Sequence, residues 1–268
     1  MKKATTCLLL FCCLWAPQAA AEESRKVLQF SAIRALLEGV FEGAWTVDQL
    51  KERGDFGIGT FDGLDGELIA RGGNFYRADA DGKIAVTAGS RKVPYATLTR
   101  FSSPEVFTLP PGAGYDEACR AMDALLPTRN IFYALEIEGE FEALAIRSVP
   151  AQKPPYRRMR EFIPEEQKVI RRDKIRGVMV GFRMPPYTAG LNVPGYHFHF
   201  LSENRDVGGH VLGFKLVTGA VRVQEMHELE IVLPHSAEFY VKNLSEEKAG
   251  DLEAVEKMGA GSLQAAER

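Results

Sequence analysis

Cysteine is almost missing from the part of this chain where it could serve the fold. Of four cysteines, Cys7, Cys12 and Cys13 sit at the extreme N-terminus and only Cys119 lies beyond them. No internal disulfide can therefore brace the remainder, and a cysteine-rich metal module is excluded by the same shortage. Long apolar runs are also absent: none approaches the ~20 residues of a membrane helix. Charge of one sign is not in excess, since 33 basic residues face 36 acidic ones for a formal charge of −3. That balance favours neither nucleic acid nor an anionic membrane as partner. No period of twenty to fifty residues repeats, which excludes a solenoid. Stability has to come from a buried core, and 268 residues with 46% hydrophobic side chains are enough to build one.

The N-terminus carries Lys2 and Lys3, an apolar core from Cys7 to about Trp15, and the small-residue run Ala19-Ala20-Ala21. This is the form of a secretory signal peptide over 1–21, with cleavage before Glu22. The expected product is exported, periplasmic or secreted, and free of the membrane after cleavage. Lipid attachment at Cys12 is the alternative, but Leu10-Phe11-Cys12 lacks the small residue expected before a lipidated cysteine. The rest reads as α+β and predominantly β: two packed β-rich halves, a mixed sheet and a barrel-like sheet, with a few short helices. The expected division is 22–155, with short helices, and 156–268, with the metal-binding strands and a C-terminal tail.

Local signals support that outline. Val27, Phe30, Ile33, Leu36, Leu37 and Val40 recur at the three-and-four spacing of a short amphipathic helix entered from an extended segment. Thr46 to Gln49 has the form of a capping box and predicts a helix from Val47 to about Arg53. Asp62-Gly63 and Asp65-Gly66 mark turns, Glu67 to Arg71 a strand, Gly72-Gly73 a hairpin turn and Asn74 to Ala78 its return. Asp79 to Gly82 resembles the opening of a calcium loop, but Lys83, Ile84 and Ser90 stand where that loop needs a ligand, its glycine and its last glutamate, so it reads as a turn. A strand is expected at about Ala96 to Phe101 and a helix at Tyr115 to Leu126, with Cys119 as a small apolar filler.

Further on, Glu138-Gly139 reads as a hairpin turn between two strands, and Gly219-Ala220 as a turn within Val211 to Val232. Alternation would put Phe141, Ala143, Ala145 and Arg147 on one face, so the guanidinium needs an anionic partner, either a fixed glutamate or a substrate carboxylate. The basic run Arg157, Arg158, Arg160 reads as solvated face, and Ile163 to Ile175 as a solvated linker or short helix. Leu252, Val255 and Met258 give the tail a helical spacing, suited to a docked helix or coil.

Three of the five histidines fall between Pro194 and Leu212. His197 and His199 leave the same face of an extended strand, with Tyr196, Phe198 and Phe200 on the other. An Asn/Arg/Asp/Gly-Gly turn then precedes His210, and a hairpin on that turn would return its imidazole to the first pair. One histidine on a strand is ordinarily just a polar residue; three converging ones make a metal site, and three imidazoles with an open position suit catalytic zinc. His227 and His235 lack such spacing and read as surface residues. Glu67, opening its strand after Asp65-Gly66, reads by itself as a solvated strand end.

Together, the segments FGIGTFDGLDGELI with Thr60 and Glu67, AIRSVPAQKPPY with Arg147, PGYHFHFLS with His197 and His199, GGHVL with His210, and the acidic tail around Glu256 resemble the bacterial α-acetolactate decarboxylases. The likeness extends over essentially all of the chain after the leader, with the blocks in the family's order. It implies a Zn2+ enzyme that converts 2-hydroxy-2-methyl-3-oxobutanoate to (R)-acetoin and carbon dioxide. His197, His199 and His210 would hold the metal, Glu67 and Arg147 would act on the substrate, Thr60 would line the site, and Glu256, or its neighbour Glu253, would close it. The implied partner is a small 2-hydroxy-3-oxo acid, and exposed strands in the N-terminal half make a sheet-mediated homodimer the expected assembly.

Two other classes share the histidines. A cupin-like oxygenase would account for His197, His199 and Glu203, but the glycines of its first motif fall on Leu191 and His210. A nonenzymatic periplasmic zinc-binding protein would need the same ligands and neither Glu67 nor Arg147.

Overall fold

The computed structural model describes residues 25–103, 105–245 and 250–256; the proposed leader lies outside them. The strands are β1 (Lys26–Phe30), β2 (Trp45–Thr46), β3 (Phe56–Thr60), β4 (Glu67–Arg71), β5 (Asn74–Ala78), β6 (Ile84–Val86), β7 (Lys92–Val93), β8 (Tyr95–Thr99), β9 (Val106–Thr108), β10 (Phe132–Ser148), β11 (Lys168–Met184), β12 (Gly195–Ser202), β13 (Gly208–Met226) and β14 (Glu228–Val232). The helices are short: α1 (Ile33–Leu37), α2 (Val47–Lys51), α3 (Tyr115–Leu125), α4 (Met159–Glu166), α5 (Ala237–Val241) and α6 (Asp251–Glu256).

Seven strands form a mixed sheet in the order β14-β1-β8-β3-β4-β5-β6, mixed because β1 and β14 run parallel. Five more follow β10-β11-β12-β13-β9, and β10 also pairs with β13, so four of them close into a ring; β2 and β7 pair separately. Side-chain alternation then decides what each face meets. Tyr133, Leu135, Ile137, Met179, Phe198 and Phe200 point into the ring, where α3 adds Ala118 and Met122. Phe198 and Phe200 are almost wholly buried there, each worth about 1.5–3 kcal/mol of hydrophobic stabilisation. The outer face of the ring meets the mixed sheet through Val178, Val180 and Phe182 against Phe56, Ile58 and Ile69. The far face of the mixed sheet buries Leu68, Ala70 and Leu98 with Leu50 of α2, whose Thr46 and Gln49 do form the capping box.

Three expectations are corrected. Glu138-Gly139 and Gly219-Ala220 are not turns: β10 and β13 run straight through them, and Gly139 lies directly opposite both Gly219 and Gly177. A Cβ on Gly139 would meet the Thr218 carbonyl oxygen at 2.4 Å. These glycines therefore serve close approach between paired strands, a use that leaves the same local signature as a turn. Residues 163–175 are no linker; α4 ends at Glu166 and the exposed half of β11 starts at Lys168, with Lys174 paired to Glu140 at 2.9 Å. Third, Phe141 and Arg147 do not share a face. Ala143 has a φ of 49° and marks a bulge where the register with β13 shifts. The extra residue changes the phase of alternation, so Phe141, Leu144 and Ile146 fill the ring while Arg147 turns outward to the mixed sheet.

Candidate metal centre and active site

At one end of the intersheet layer the polar residues replace the apolar ones. His199 pairs across the ladder with His210, and His210 with Arg147 on its other side, so a row Arg147-His210-His199 crosses the closed sheet. The turn that sets this register is fastened by Ser202, whose hydroxyl donates to Asp206 Oδ1 at 2.7 Å and accepts from the amides of Asp206 and Val207. Gly209 lets the ladder close, since a Cβ there would meet the Arg147 carbonyl oxygen at 2.7 Å. His197 lies two residues before His199 on the same face, and the three imidazoles offer ligand atoms within 4.8 Å of one another.

The mixed sheet answers from across the gap. Thr60 is paired with Glu67 and with Tyr95 on its two sides. The Thr60 hydroxyl donates to the Gly66 carbonyl at 2.7 Å, and Arg77 donates to the Asp65 carbonyl at 2.9 Å, while Arg77 and Arg91 both grip the Asp65 carboxylate. The turn before Glu67 is thus rigid, and Glu67 is buried rather than left at a solvated strand end. Its Oε2 stands 3.5 Å from His199 Nε2 and its Oε1 3.8 Å from Arg147 Nη1. Glu256, from α6, places Oε2 at 3.7 Å from His197 Nε2 and 3.6 Å from His210 Nε2; Glu253 is exposed.

Burial controls the charges. Desolvation pulls His197 down to about 3 and holds His199 and His210 well below the ordinary histidine value, with the Arg147 charge acting in the same direction. All three are neutral near pH 7 and keep a lone pair to offer. His199 Nδ1 lies 2.9 Å from the Leu68 carbonyl; a carbonyl only accepts, so that nitrogen carries the proton and Nε2 is free to ligate. Three neutral imidazoles with one tautomer fixed by the main chain fit a divalent metal. Glu67 is pushed up to about 7 by burial and by Glu256, against the pull of Arg147. Glu256 is raised as well, again by burial and against Arg147.

Arg147 is a buried charge that the described residues satisfy only in part. It is 3% exposed, yet among the described residues its close hydrogen bond is from Nη2 to the Val255 carbonyl at 3.1 Å, and its Nε is buried with no hydrogen-bond partner. A guanidinium has five donors in a planar fork, so this one has capacity left for an anion. Ile33, Leu36, Leu64, Val149, Met159 and Tyr95 wall the remaining space. Among the described residues a larger groove of about 560 Å³ runs past Arg71, Glu136 and Arg222. Those charges satisfy one another, with Glu136 bridging Arg71 and Arg222 at 2.7 and 2.8 Å, and no three-ligand cluster lies there.

Several contributors carried no sequence signal. The Leu68 and Val255 groups are main-chain carbonyls. Tyr95, a buried tyrosine at the start of β8, falls just before the strand expected from the sequence. Arg157 and Arg160 are exposed, as a solvated face would be, but Arg158 is partly buried, and it and Arg160 both grip Asp251 of α6.

Residues 27–246 match the family profile described as Alpha-acetolactate decarboxylase. The chain is 41% identical over 241 residues to an alpha-acetolactate decarboxylase of Methanosarcina mazei, covering 90% of this chain and 83% of that one. It is 39% identical over 218 residues to that of Klebsiella aerogenes, covering 81% and 84%. The crystal structure of alpha-acetolactate decarboxylase from Bacillus subtilis strain 168 superposes with a TM-score of 0.84 at 35% identity, covering 86% of this chain and 99% of that one.

Proposed function

The chain belongs to the alpha-acetolactate decarboxylase family, and from that premise we propose that it uses zinc to convert 2-hydroxy-2-methyl-3-oxobutanoate to (R)-acetoin and carbon dioxide, with Glu67, Arg147 and Glu256 acting on the substrate. His197, His199 and His210 would hold the metal. When bound, it supplies a fixed positive charge beside the substrate oxygens, where negative charge grows as the carboxylate departs.

The protein's own groups do the remainder. The observation that carries the reading is the undersatisfied Arg147 fork beside three neutral imidazoles. Arg147 receives the substrate carboxylate and so fixes which bond is aligned with the neighbouring carbonyl. As the C–C bond breaks, its electron pair moves into the carbonyl and carbon dioxide leaves. Arg147 then faces the enediolate oxygen; its own pKa is far too high for it to be an efficient acid. Glu67, held at about 7, can take and return a proton near neutrality, and is the proton carrier to the carbanionic carbon. Glu256 stands beside His197 and His210, and its charge disfavours the bound carboxylate relative to neutral carbon dioxide. Thr60, whose proton is committed to Gly66, offers only lone pairs to a substrate hydroxyl. The apolar wall accepts the two methyl groups.

The test is gas release from acetolactate without oxygen, before and after chelation and after zinc is restored. Activity should vanish with the metal and return with it; a requirement for oxygen would point to cupin-like oxygenase chemistry instead. Glu67→Gln and Arg147→Ala should each lower turnover by at least ~10²-fold with metal content unchanged, and loss of metal in either would overturn the division of roles. The same reading includes export behind a leader at 1–21, a division near residue 155, and a homodimer through open sheet edges. In support of the last, β6 and β14 end the mixed sheet with Val86 and Ile231 exposed. Among the described residues no helix is long and apolar enough to cross a membrane.

A further inference from the structure

Helix α6 has only six residues, too few to hold a helical conformation alone, yet it delivers two groups to the site: the Glu256 carboxylate and the Val255 carbonyl that accepts from Arg147. Two of its residues are fixed firmly among the described ones. Val255 is fully buried against a cluster that includes Met159 and Phe162 of α4 and Ile33 and Leu36 of α1. Four residues earlier, on the same face of the helix, stands Asp251, whose side chain is 6% exposed. Its Oδ1 pairs with Arg160 at 2.6 Å and its Oδ2 with Arg158. Arg158 also reaches Glu38, just beyond α1, at 3.0 Å. This one ionic chain ties together α1, α4 and α6.

A buried carboxylate held by two guanidiniums gives little net stability, because desolvation offsets most of the attraction, but both ion pairs depend on where α6 sits. Displacing α6 by one turn would move Glu256 by about 5.4 Å, well beyond its present 3.6–3.7 Å from the imidazoles. We propose that Asp251, gripped by Arg158 and Arg160, is a positioning residue that seats α6 so that Glu256 and the Val255 carbonyl reach the active site. This rests on the role given to Glu256 above.

The experiment is a double-mutant cycle on the zinc-loaded enzyme, comparing the parent, Asp251→Asn, Glu256→Gln and the double variant for kcat, KM, metal content and melting temperature. Asp251→Asn keeps the shape and removes the charge. It should lower kcat roughly ten- to a hundredfold, the scale expected from a misplaced group, with metal content unchanged. In the Glu256→Gln background its effect on kcat should shrink at least severalfold, because the carboxylate it positions is already disabled and only the Val255 contact to Arg147 is left to disturb. An undiminished effect in that background, or a kcat within about twofold of the parent, overturns the proposal. Glu256→Gln as active as the parent would instead remove the role of Glu256, and the clamp's role with it. If Asp251→Asn does not fold, Arg160→Gln takes its place in the cycle. Arg160 is half-exposed and its loss leaves Arg158 on Asp251, so a smaller fall in kcat with the same non-additivity is expected, and simple multiplication of effects would again overturn the proposal.

Discussion

The hairpin of β12 and β13 and the mixed sheet contribute to one site by different physical means. In the hairpin the three imidazoles come from fourteen consecutive residues, His197 to His210, and their meeting follows from strand alternation and one turn. The mixed sheet supplies Thr60, Glu67 and the Leu68 carbonyl, none of which faces a histidine until two sheets have packed. Arg147 belongs to the same closed sheet as the histidines but reaches them through a bulge. Metal affinity should therefore depend chiefly on a local element, and turnover on the docking of distant ones.

That contrast is broken most directly at His199. His199→Ala should reduce the metal content of the purified protein and lower turnover roughly a thousandfold or more, since a bound metal supplies several kcal/mol of transition-state stabilisation. Full metal occupancy with normal turnover would reduce the three imidazoles to a polar patch in the core.

On the other side of the gap, Glu67 tests what docking costs. Its carboxyl titrates at about 7 in the fold against an ordinary 4.5. Between those values the unfolded chain has released the proton and the native one retains it, so native stability is fully present below pH 4.5 and falls as pH rises to about 7. Glu67→Gln removes this dependence. Urea titrations of metal-free protein should show no gain from the substitution near pH 4.5 and a gain of up to about 3 kcal/mol above pH 7. A gain independent of pH would mean that Glu67 is not held protonated by burial.

The smallest effect sharpens the comparison from within the closed sheet. Gly139→Ala forces a Cβ against the Thr218 carbonyl and the Gly219 Cα, at 2.4 and 2.9 Å. It should destabilise the protein by about 1–3 kcal/mol, seen as a lower melting temperature, while kcat and metal content hold because the ladder around His210 is distant in register. A parallel loss of metal would show that the ring transmits strain to the hairpin.

How far the chain could be read before its structure was in view differs in the same way. Glu67–Arg71 and Asn74–Ala78 are paired around Gly72-Gly73 as the turn chemistry predicts, and Thr46 caps its helix. These depend on neighbours a few residues apart. Gly139 and Gly219 read as turns because a glycine opposite another glycine across a ladder has the local character of a turn residue. Arg147 is buried beside a glutamate as alternation with Ala145 predicts, but Phe141 turns to the other face, because a one-residue bulge at Ala143 leaves no mark in an alternating sequence. Arg158 and Arg160 carry no local sign of a partner, because Asp251 lies ninety-three and ninety-one positions away.

The residue order alone determined that three imidazoles would share one face of a hairpin, because the two-residue period of a strand and the chemistry of one turn act over short distances. Tertiary structure decided their electrostatic company. Burial makes the histidines neutral, raises Glu67 and leaves Arg147 short of partners. Desolvation depends on everything packed around a group, and that packing is a property of two sheets and a C-terminal helix meeting in space.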